Sequence, residues 1–443
     1  YSNHKNFFSR SLIFLKYSFE ATKICISGNY EIVFATSTPL TVSIPAIILR
    51  WLKGTTFIFE VRDLWPELPK AMGIVKNPII LRLLSILEKL SYKSADSIIG
   101  LAPGICKSIE KIISNKNKVY FIPNACDLDL FYPDKLASLK TNKHLTKYNK
   151  LIKKNDFIAL FSGAHGIANG LGSIIDVASY LHDHNYKEIK ILFVGDGSQK
   201  VYLQNLAKTK KLDNCIFLDP ISKIELSLIM RECVHVGIMC LKNIPEFYNG
   251  TSPNKFFDYI SAGLPVLINY PGWLTDIVIN ENLGLYSNPN DVKSFAHNII
   301  KLYSDRQSLD KVSENCRSYA KQNFARELMI KKFLAMIKLT YLTNKSRENN
   351  YISRNFYIFF KRICDLILAT LMIIIGLPIY ILIALLVYIE LGKPILFKQS
   401  RPGYKGKVFK IYKFSSMRNI YDKHGKPLPD KYRITKFGQW LRS

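Results

Sequence analysis

Acidic residues are scarce: 34 Asp and Glu face 62 Lys and Arg in 443 residues, a formal charge of +28. An imbalance of that size draws polyanions, which leaves nucleic acid, anionic lipid and phosphorylated small molecules as partner classes. Paired cysteines are missing too. The eight cysteines, at 25, 106, 126, 215, 233, 240, 316 and 364, form no CxxC pair, and no histidines cluster at ligand spacing. This argues against a disulfide framework or a zinc site and fits a reducing cytoplasm. Near the front, the apolar stretch 11–17 is too short for a secretory signal core with its flanks. The sequence opens on Tyr1 rather than Met and closes on Ser443 directly after Trp440-Leu441-Arg442, so the expectation is a fragment of a longer protein.

Hydrophobic residues make up 48 %, which excludes a mainly disordered chain, and the length fits two to four domains. From about residue 30 to 341, short apolar β-rich runs alternate with longer amphipathic ones. Strands are predicted at 31–35, 56–61, 97–101, 119–122, 157–161, 189–194, 215–218, 235–239 and 265–269. A helix is predicted over 78–92, where Ile79, Leu83, Leu84, Ile86, Leu87 and Leu90 recur at helical spacing. Nearly all-apolar strands alternating with helices mean parallel α/β sheets covered on both faces. The Lys-rich stretch 134–155 interrupts this rhythm as a linker would. The expected plan is an incomplete Rossmann-like domain over 1–133, a second over 134–345, and a separate segment over 346–443. Ligands of such sheets bind beyond the carboxyl ends of the strands, so two linked sheets place a cleft between them. Kinases, dehydrogenases and transferases share that architecture.

Residues 366–388 are different in kind. About 23 residues run without a charge, enough to cross a hydrocarbon core of roughly 30 Å. Pro378, after Gly376, sits near the middle, and a proline there removes a backbone donor and kinks a helix. The alternatives are a kinked span and a re-entrant hairpin that leaves on the side it entered. Lys361 and Arg362 precede the segment, and fourteen basic residues against two acidic ones follow from Gly392 onward. Positive charge on both flanks favours the re-entrant form with both ends at the cytoplasmic surface, against anionic headgroups.

Three motifs carry chemistry. Phe161-Ser162-Gly163-Ala164-His165-Gly166, followed by Ala168-Asn169-Gly170-Leu171, lies after a predicted strand and before a helix. Closely spaced glycines let backbone N–H groups approach a phosphate, and a helix N-terminus adds partial positive charge; an ordinary Gly-rich turn is the alternative. A second strand-end turn, Gly195-Asp196-Gly197, is placed to meet a base or ribose. The third runs from Gly250-Thr251-Ser252-Pro253-Asn254-Lys255 through Phe256, Phe257 and Asp258 to Tyr259. Ser252 is expected to cap a helix with Pro253 at its first position. Lys255 then falls in the first turn, where a fixed cation stabilises the charge gathering on a departing nucleoside diphosphate. Asp258, one turn on, is a candidate acceptor for sugar hydroxyls; a surface ion pair with Lys255 is the alternative.

With these motifs in order, the sequence resembles glycosyltransferase family 4. The run from Ile122-Pro123-Asn124 through Asp127-Leu128-Asp129 to Pro133 is similar to that family's interdomain crossover. Residues 59–67, which include Arg62-Asp63-Leu64-Trp65-Pro66-Glu67, resemble the acceptor-side loop of members acting on polyprenyl-linked intermediates. The resemblance spans about residues 30–340. It implies a GT-B fold, a nucleotide-sugar donor, retention at the anomeric carbon and no obligatory metal. It carries donor contacts onto Gly163, His165, Gly166, Asn169, Gly170, Gly195, Asp196, Gly197, Thr251, Ser252, Asn254 and Lys255. Asp63, Lys255 and Asp258 become the catalytic candidates, with Arg62 and Glu67 on the acceptor side. Asp63 is expected to orient the acceptor hydroxyl and Arg62 to meet a lipid diphosphate; helix capping by Arg62 and Asp63 is the alternative. Two departures stand out. The Glu-x7-Glu pair frequent in the family is replaced by Gly250 and Asp258, and the family's first strand and Gly-rich loop are missing. Asp127-Leu128-Asp129 mimics a metal-binding DxD, but its place inside the crossover argues against that role.

The tail resembles the start of bacterial sugar transferases, which move a sugar phosphate from a nucleotide donor to polyprenyl phosphate. The resemblance rests on Lys361-Arg362, Asp365, the apolar segment with Pro378, the run 392–403 with Gln399 and Arg401, and the run 409–417 with Lys413; Ser415 stands where the family usually has Arg. Arg362 is the expected partner of Asp365, and Gln399, Arg401 and Lys413 are phosphate or headgroup candidates. The family's Asp-Glu dyad and its Mg²⁺ are implied only for a longer parent. The combined expectation is a glycosyltransferase at the cytoplasmic face of a bacterial inner membrane. Its donor would be a UDP-N-acetylhexosamine type and its acceptor a sugar on undecaprenyl diphosphate, with anionic lipid and no nucleic acid as partners. A single-activity transferase with a membrane anchor is one rival. A basic nucleic-acid-binding or scaffold protein is the other.

Overall fold

The computed structural model describes residues 7–131, 151–153, 155–348, 352–402 and 408–442. Most of the predicted linker, the crossover's Tyr132 and Pro133, and Gly403 lie outside those residues. The chain divides into two compact units, Tyr1–Asn350 and Tyr351–Ser443.

In the first unit a helix, α1 (Phe7–Ser27), leads into β1 (Ile32–Thr36), α2 (Ser43–Lys53), β2 (Thr56–Val61), the short α3 (Glu67–Ala71), α4 (Pro78–Ser94), β3 (Ser97–Gly100), α5 (Pro103–Ile112) and β4 (Val119–Phe121). The four strands form one parallel sheet in sequence order. The turn α6 (Leu128–Phe131) ends the crossover. The second sheet is built from β5 (Phe157–Ser162), α7 (Gly172–Asp183), β6 (Ile189–Val194), α8 (Lys200–Thr209), β7 (Cys215–Leu218), α9 (Lys223–Glu232) and β8 (Val236–Met239). It continues with α10 (Pro245–Gly250), α11 (Asn254–Ala262), β9 (Val266–Ile268), α12 (Trp273–Asn280), β10 (Gly284–Tyr286), α13 (Val292–Ser304) and α14 (Arg306–Asn323). Every pairing is parallel, in the order β10-β9-β8-β5-β6-β7. Both faces are covered, as the apolar strands require. In β5, Ile158 and Leu160 enter one buried cluster while Phe157, Ala159 and Phe161 enter the other, the two-residue alternation of a strand. The strand order reverses between β5 and β8, and the crevice at such a reversal is where open α/β sheets hold ligands.

The last helix of the unit, α15 (Arg326–Glu348), leaves the second sheet and packs on the first. Met329 and Met336 join the core of the first sheet, the Phe333 ring meets Phe34 edge-on at 5.5 Å, and Asn344 Nδ2 donates to Thr56 Oγ1 at 2.9 Å. A helix beginning in one domain and buried in the other straps the two sheets together.

The second unit consists of α16 (Ile352–Leu391), the hairpin β11 (Leu396–Pro402) and β12 (Val408–Phe414), and short helical turns up to Trp440. Residues Leu368–Leu391 form a helix long and apolar enough to cross a membrane, with 6 % of that window buried within the protein. Helical backbone runs unbroken through Pro378. Sequence periodicity missed α1, β10 and the hairpin. The hairpin's strands are interrupted by charged residues, and β10 has only three residues, so neither shows a sustained apolar pattern.

Because Met336 is 3 % exposed in the strap, Met336→Ala is expected to cost about 2–5 kcal/mol. Urea unfolding followed by far-UV circular dichroism measures it, and a midpoint equal to wild type contradicts the strap.

Candidate functional site at the switch point of the second sheet

The loop after β5 and the loop after β6 are joined backbone to backbone. Gly163 N donates to Val194 O at 2.9 Å, His165 N to Asp196 O at 2.9 Å, and Gln199 N to His165 O at 2.9 Å. The approach leaves no room for side chains: a Cβ on Gly195 would lie 1.9 Å from Gly163 O, and one on Gly197 2.6 Å from His165 O. The glycine motifs that were predicted separately therefore form one surface. Their chemistry differs from the expected cradle, because the amides of Gly163 and His165 are spent on this pairing. Nor does the loop open directly onto a helix. A 3-10 turn over Ile167–Asn169 and the left-handed Gly170 intervene before α7. Gly166 sits in the open with nothing within 4 Å of a built Cβ, and Asp196 is exposed at the rim.

His165 requires a correction as a donor contact. Its ring is fully buried between Phe161 and Phe193, and neither ring nitrogen has a hydrogen-bond partner. Removal from water, reinforced by the positive charge of Lys200, pushes its pKa down to about 4, so the ring is neutral and packs as an apolar group.

Lys255 is the cation at this surface. It lies in the first turn of α11, and its Nζ sits 3.8 Å above the Phe161 ring centroid and 3.4 Å from Asn169 Oδ1. Asn169 is oriented by its Nδ2, which donates to Ala164 O at 2.7 Å. Burial lowers the pKa of Lys255 to about 7, so an arriving anion meets an ammonium poorly supplied with other partners. What holds α11 in place is Tyr259, one turn further on. Its hydroxyl accepts from Ser162 N at 3.0 Å and donates to Leu160 O at 3.1 Å, pinning the helix to the end of β5. Gly237 in β8 makes space for that ring, since a Cβ there would fall 2.4 Å from Tyr259 Cδ2. Tyr259 and the Phe161 ring escaped the sequence reading. The signal for Tyr259 was Gly237, a glycine inside a strand, which marks the close approach of another group.

The start of α11 also needs correction. Ser252 does not cap it and Pro253 is not its first helical residue. The helix begins at Asn254 with Pro253 in the cap position, because the backbone of Pro253 is itself still extended, and Ser252 Oγ is buried without a partner. Ser252 O instead accepts from the crossover's Asn124 Nδ2 at 2.7 Å. Thr251 Oγ1 is tied to Phe247 O at 2.9 Å and Thr251 O to Trp273 Nε1 at 2.8 Å. Asn254 is exposed. Asp258 meets neither Lys255 nor the glycine loops. Its carboxylate lies 3.1 Å from Lys223 Nζ, in a cluster where Asp127 is 2.5 Å from Arg326 Nη2 and 3.9 Å from Lys223. Desolvation outweighs Lys223 and raises the pKa of Asp258. Asp127, the first member of the DxD look-alike, is thus held by two cations.

The acceptor-side loop faces this region. The helix α10 buries Phe247 in the core of the first sheet, and a Cβ on Gly250 would lie 3.5 Å from Leu64 Cδ1. Asp63 Oδ2 accepts from Thr38 Oγ1 at 2.8 Å. Neither Arg62 nor Asp63 caps α3, whose cap residue Pro66 receives no side-chain bond. Arg62 and Glu67 are exposed.

In the second unit the hairpin register puts Gln399, Arg401 and Lys413 on one face. Gln399 Oε1 lies 3.4 Å from Lys413 Nζ and 3.5 Å from Arg401 Nη2. Gln399 and Lys413 line a cavity of about 770 Å³ with Arg433 and Arg442. Asp365 and Arg362 are both exposed, and among the described residues no ion pair joins them. This corrects the expected pairing, and the physical reason is that a solvent-exposed pair one turn apart gains little. No group of three or more His, Cys, Asp or Glu that could hold a metal occurs among the described residues, and no step is derived through Mg²⁺.

Two linked parallel α/β sheets, a switch-point loop with a helix-borne lysine and a returning C-terminal helix define a glycosyltransferase of the GT-B fold. Residues 143–323 match the family model Glycosyl transferases group 1 and residues 356–443 match Bacterial sugar transferase, so the chain carries one match to each model. It is 22 % identical over 347 residues to the probable glycosyltransferase WbjE of Pseudomonas aeruginosa, covering 76 % of this chain and 82 % of that one. Its tail is 38 % identical over 86 residues to the UDP-glucose:undecaprenyl-phosphate glucose-1-phosphate transferase of Klebsiella pneumoniae, covering 19 % of this chain and 18 % of that one. The chain spans less than half the length of the curated sugar transferases matched at its tail. In fold it is similar to the Anabaena protein HepE in complex with UDP-glucose, with a TM-score of 0.57 and 15 % identity over 73 % of this chain and 81 % of that one.

Because Gly195 must admit the Gly163 carbonyl, Gly195→Ala is expected to destabilise the second sheet by about 1–3 kcal/mol; urea unfolding measures it, and an unchanged midpoint contradicts the backbone contact. His165 predicts an acid response. Its pKa is lowered to about 4 in the folded protein from about 6.5 when unfolded. The unfolded state therefore takes up the proton first, and stability complete above pH 6.5 is lost as pH falls toward 4. His165→Leu should flatten that part of the melting-temperature profile, and an unchanged profile contradicts the buried neutral ring.

Proposed function

We propose that the first unit transfers a sugar, with retention, from a nucleotide-sugar of the UDP-N-acetylhexosamine type to a sugar carried on undecaprenyl diphosphate. The carrying observation is Lys255, a partly desolvated ammonium held against the glycine surface at the switch point. It supports a role at the donor diphosphate: as the glycosidic bond lengthens, negative charge collects on the leaving group and a fixed cation stabilises it. Asn169 orients that ammonium, and the exposed rim of Asp196 meets the nucleoside. Asp63, held by Thr38 at the facing loop, orients the acceptor hydroxyl, and exposed Arg62 takes the lipid diphosphate, with Glu67 beside it. Asp258 acts through Lys223, fixing α11 against α9. The transfer itself needs no metal in this reading. The UDP-glucose seen in the Anabaena protein supports a uridine donor.

The second unit is proposed to belong to a phosphoglycosyl transferase that loads the first phosphosugar onto undecaprenyl phosphate, the kind of transfer for which the Klebsiella relative is named. Gln399, Arg401 and Lys413 face the phosphates, and the apolar helix, continuous through Pro378 rather than folded back there, inserts into the bilayer with the basic hairpin at the cytoplasmic face. Joining the two steps keeps a scarce lipid intermediate at high local concentration, for the assembly of a surface polysaccharide such as O-antigen or capsule.

Thermal stabilisation of the whole chain by UDP, UDP-N-acetylhexosamines, GDP and single-stranded RNA at fixed salt tests the donor assignment. UDP species should stabilise wild type, and Lys255→Ala should lose about tenfold or more in affinity. Stabilisation by RNA alone, or equal UDP binding in Lys255→Ala, overturns it. With the pKa of Lys255 near 7 in the free protein and raised by a bound diphosphate, affinity should fall from about pH 7.5 to 9, approaching tenfold per unit for one coupled proton. Lys255→Arg should remove that dependence.

A further inference from the structure

The helix α4 presents an apolar stripe to solvent. Ile79, Leu83 and Ile86 recur one turn apart and are 69 %, 61 % and 54 % exposed, the reverse of what a surface helix of a compact domain does with such residues. The opposite side is well seated: Ser91 and Tyr92 are buried, and Ser91 Oγ is bonded to Ser43 Oγ at 2.7 Å. The stripe is therefore additional to the face the helix needs for packing. Its flank is uniformly basic. Arg82, Lys89 and Lys93 are all exposed on one side of it, and exposed Lys76 precedes the helix. The helix's one acidic residue, Glu88, is buried.

An exposed apolar stripe beside a basic edge matches the interface of an anionic bilayer, where the apolar groups enter the acyl boundary and the cations meet headgroups. A protein partner would match the apolar stripe but gives no reason for a basic flank without an acidic residue. The same chain also carries Leu368–Leu391, a helix long and apolar enough to cross a membrane. Position adds a further argument. The helix follows β2 through the acceptor-side loop and α3, so its N-terminal half, which carries the stripe, starts at the sheet end where that loop lies.

We propose that α4 lies in the surface of an anionic membrane through Ile79, Leu83 and Ile86, with Arg82, Lys89 and Lys93 on the headgroups. This sets the mouth of the acceptor loop at the depth where a lipid-linked diphosphate emerges. The last step rests on the function proposed above; the lipid contact itself does not.

The test uses the full chain reconstituted into vesicles of brominated phosphatidylcholine, with and without an equal part of phosphatidylglycerol. Tryptophan fluorescence of Leu83→Trp is compared with that of Val201→Trp, at an exposed site on α8, after subtraction of wild-type emission. Extra quenching is expected at position 83 only, strengthened by phosphatidylglycerol and reduced in Arg82→Glu/Lys89→Glu. Equal quenching at both positions, or none at 83, overturns the proposal. So does shielding of Leu83→Trp that rises with protein concentration in detergent, which assigns the stripe to a second copy of the chain. Sugar transfer is a separate readout. Ile79→Ser/Leu83→Ser/Ile86→Ser should raise KM about tenfold for a bilayer-embedded acceptor, with no change for a short, water-soluble one. If quenching holds while neither acceptor is used, the membrane contact stands and the transferase reading fails.

Discussion

The donor side of the molecule depends on the contact between two backbones. Gly163 O lies where the first side-chain atom of residue 195 would be, and the same happens between His165 O and residue 197. Hydrogen bonds then run from the loop after β5 to the loop after β6 as an extension of the sheet beyond its strands. This makes the rim of the crevice a continuation of the core, with the stiffness of paired backbone. In its proposed role Lys255 needs such a floor, because an ammonium on a flexible stem is useful to a transition state only when its position is held beforehand.

Above that floor, a second set of contacts fixes the cation. The hydroxyl of Tyr259 ties α11 to the last residues of β5, Gly237 admits the ring, and the Phe161 face and Asn169 receive the lysine. On another side of the same helix, Asp258, Asp127, Lys223 and Arg326 join α11 to α9, the crossover and the start of the strap helix. The helix that carries the proposed catalytic cation is thus also a joint between domains. Asn124 on Ser252 and Trp273 on Thr251 continue that joint. A shift of the two sheets would be felt at Lys255 through these bonds.

The basic excess divides between two kinds of surface. One is the hairpin of the second unit, where Arg401 and Lys413 converge on Gln399. The other is the flank of α4, where the cations border exposed apolar side chains. Among the described residues no ion pair joins these cations to a carboxylate, which leaves the charge to meet anions outside the protein. Net charge alone does not distinguish these uses; the neighbours of each cation do.

Much of this was readable from the chain. All nine predicted strands reappear within one residue at each end, with 265–269 trimmed at both to Val266–Ile268. Apolar runs buried on both faces have no other stable solution than a covered parallel sheet. The glycines at 163, 195 and 197 and the lysine at 255 were legible because backbone approach and first-turn charge leave local signatures. Other features lie beyond a local pattern. Whether His165 faces the crevice or the core, whether Asp258 answers Lys255 or Lys223, and which residue starts α11 all depend on groups distant in sequence. The stripe of α4 is instructive in the same way. Its periodicity announced a helix, but periodicity counts apolar residues without saying which are covered. Only the packing of α2 and the first sheet left Ile79, Leu83 and Ile86 in the open. Sequence by itself determined most of the elements, because backbone conformation responds to near neighbours; tertiary structure decided the faces, because burial is a property of what else arrives.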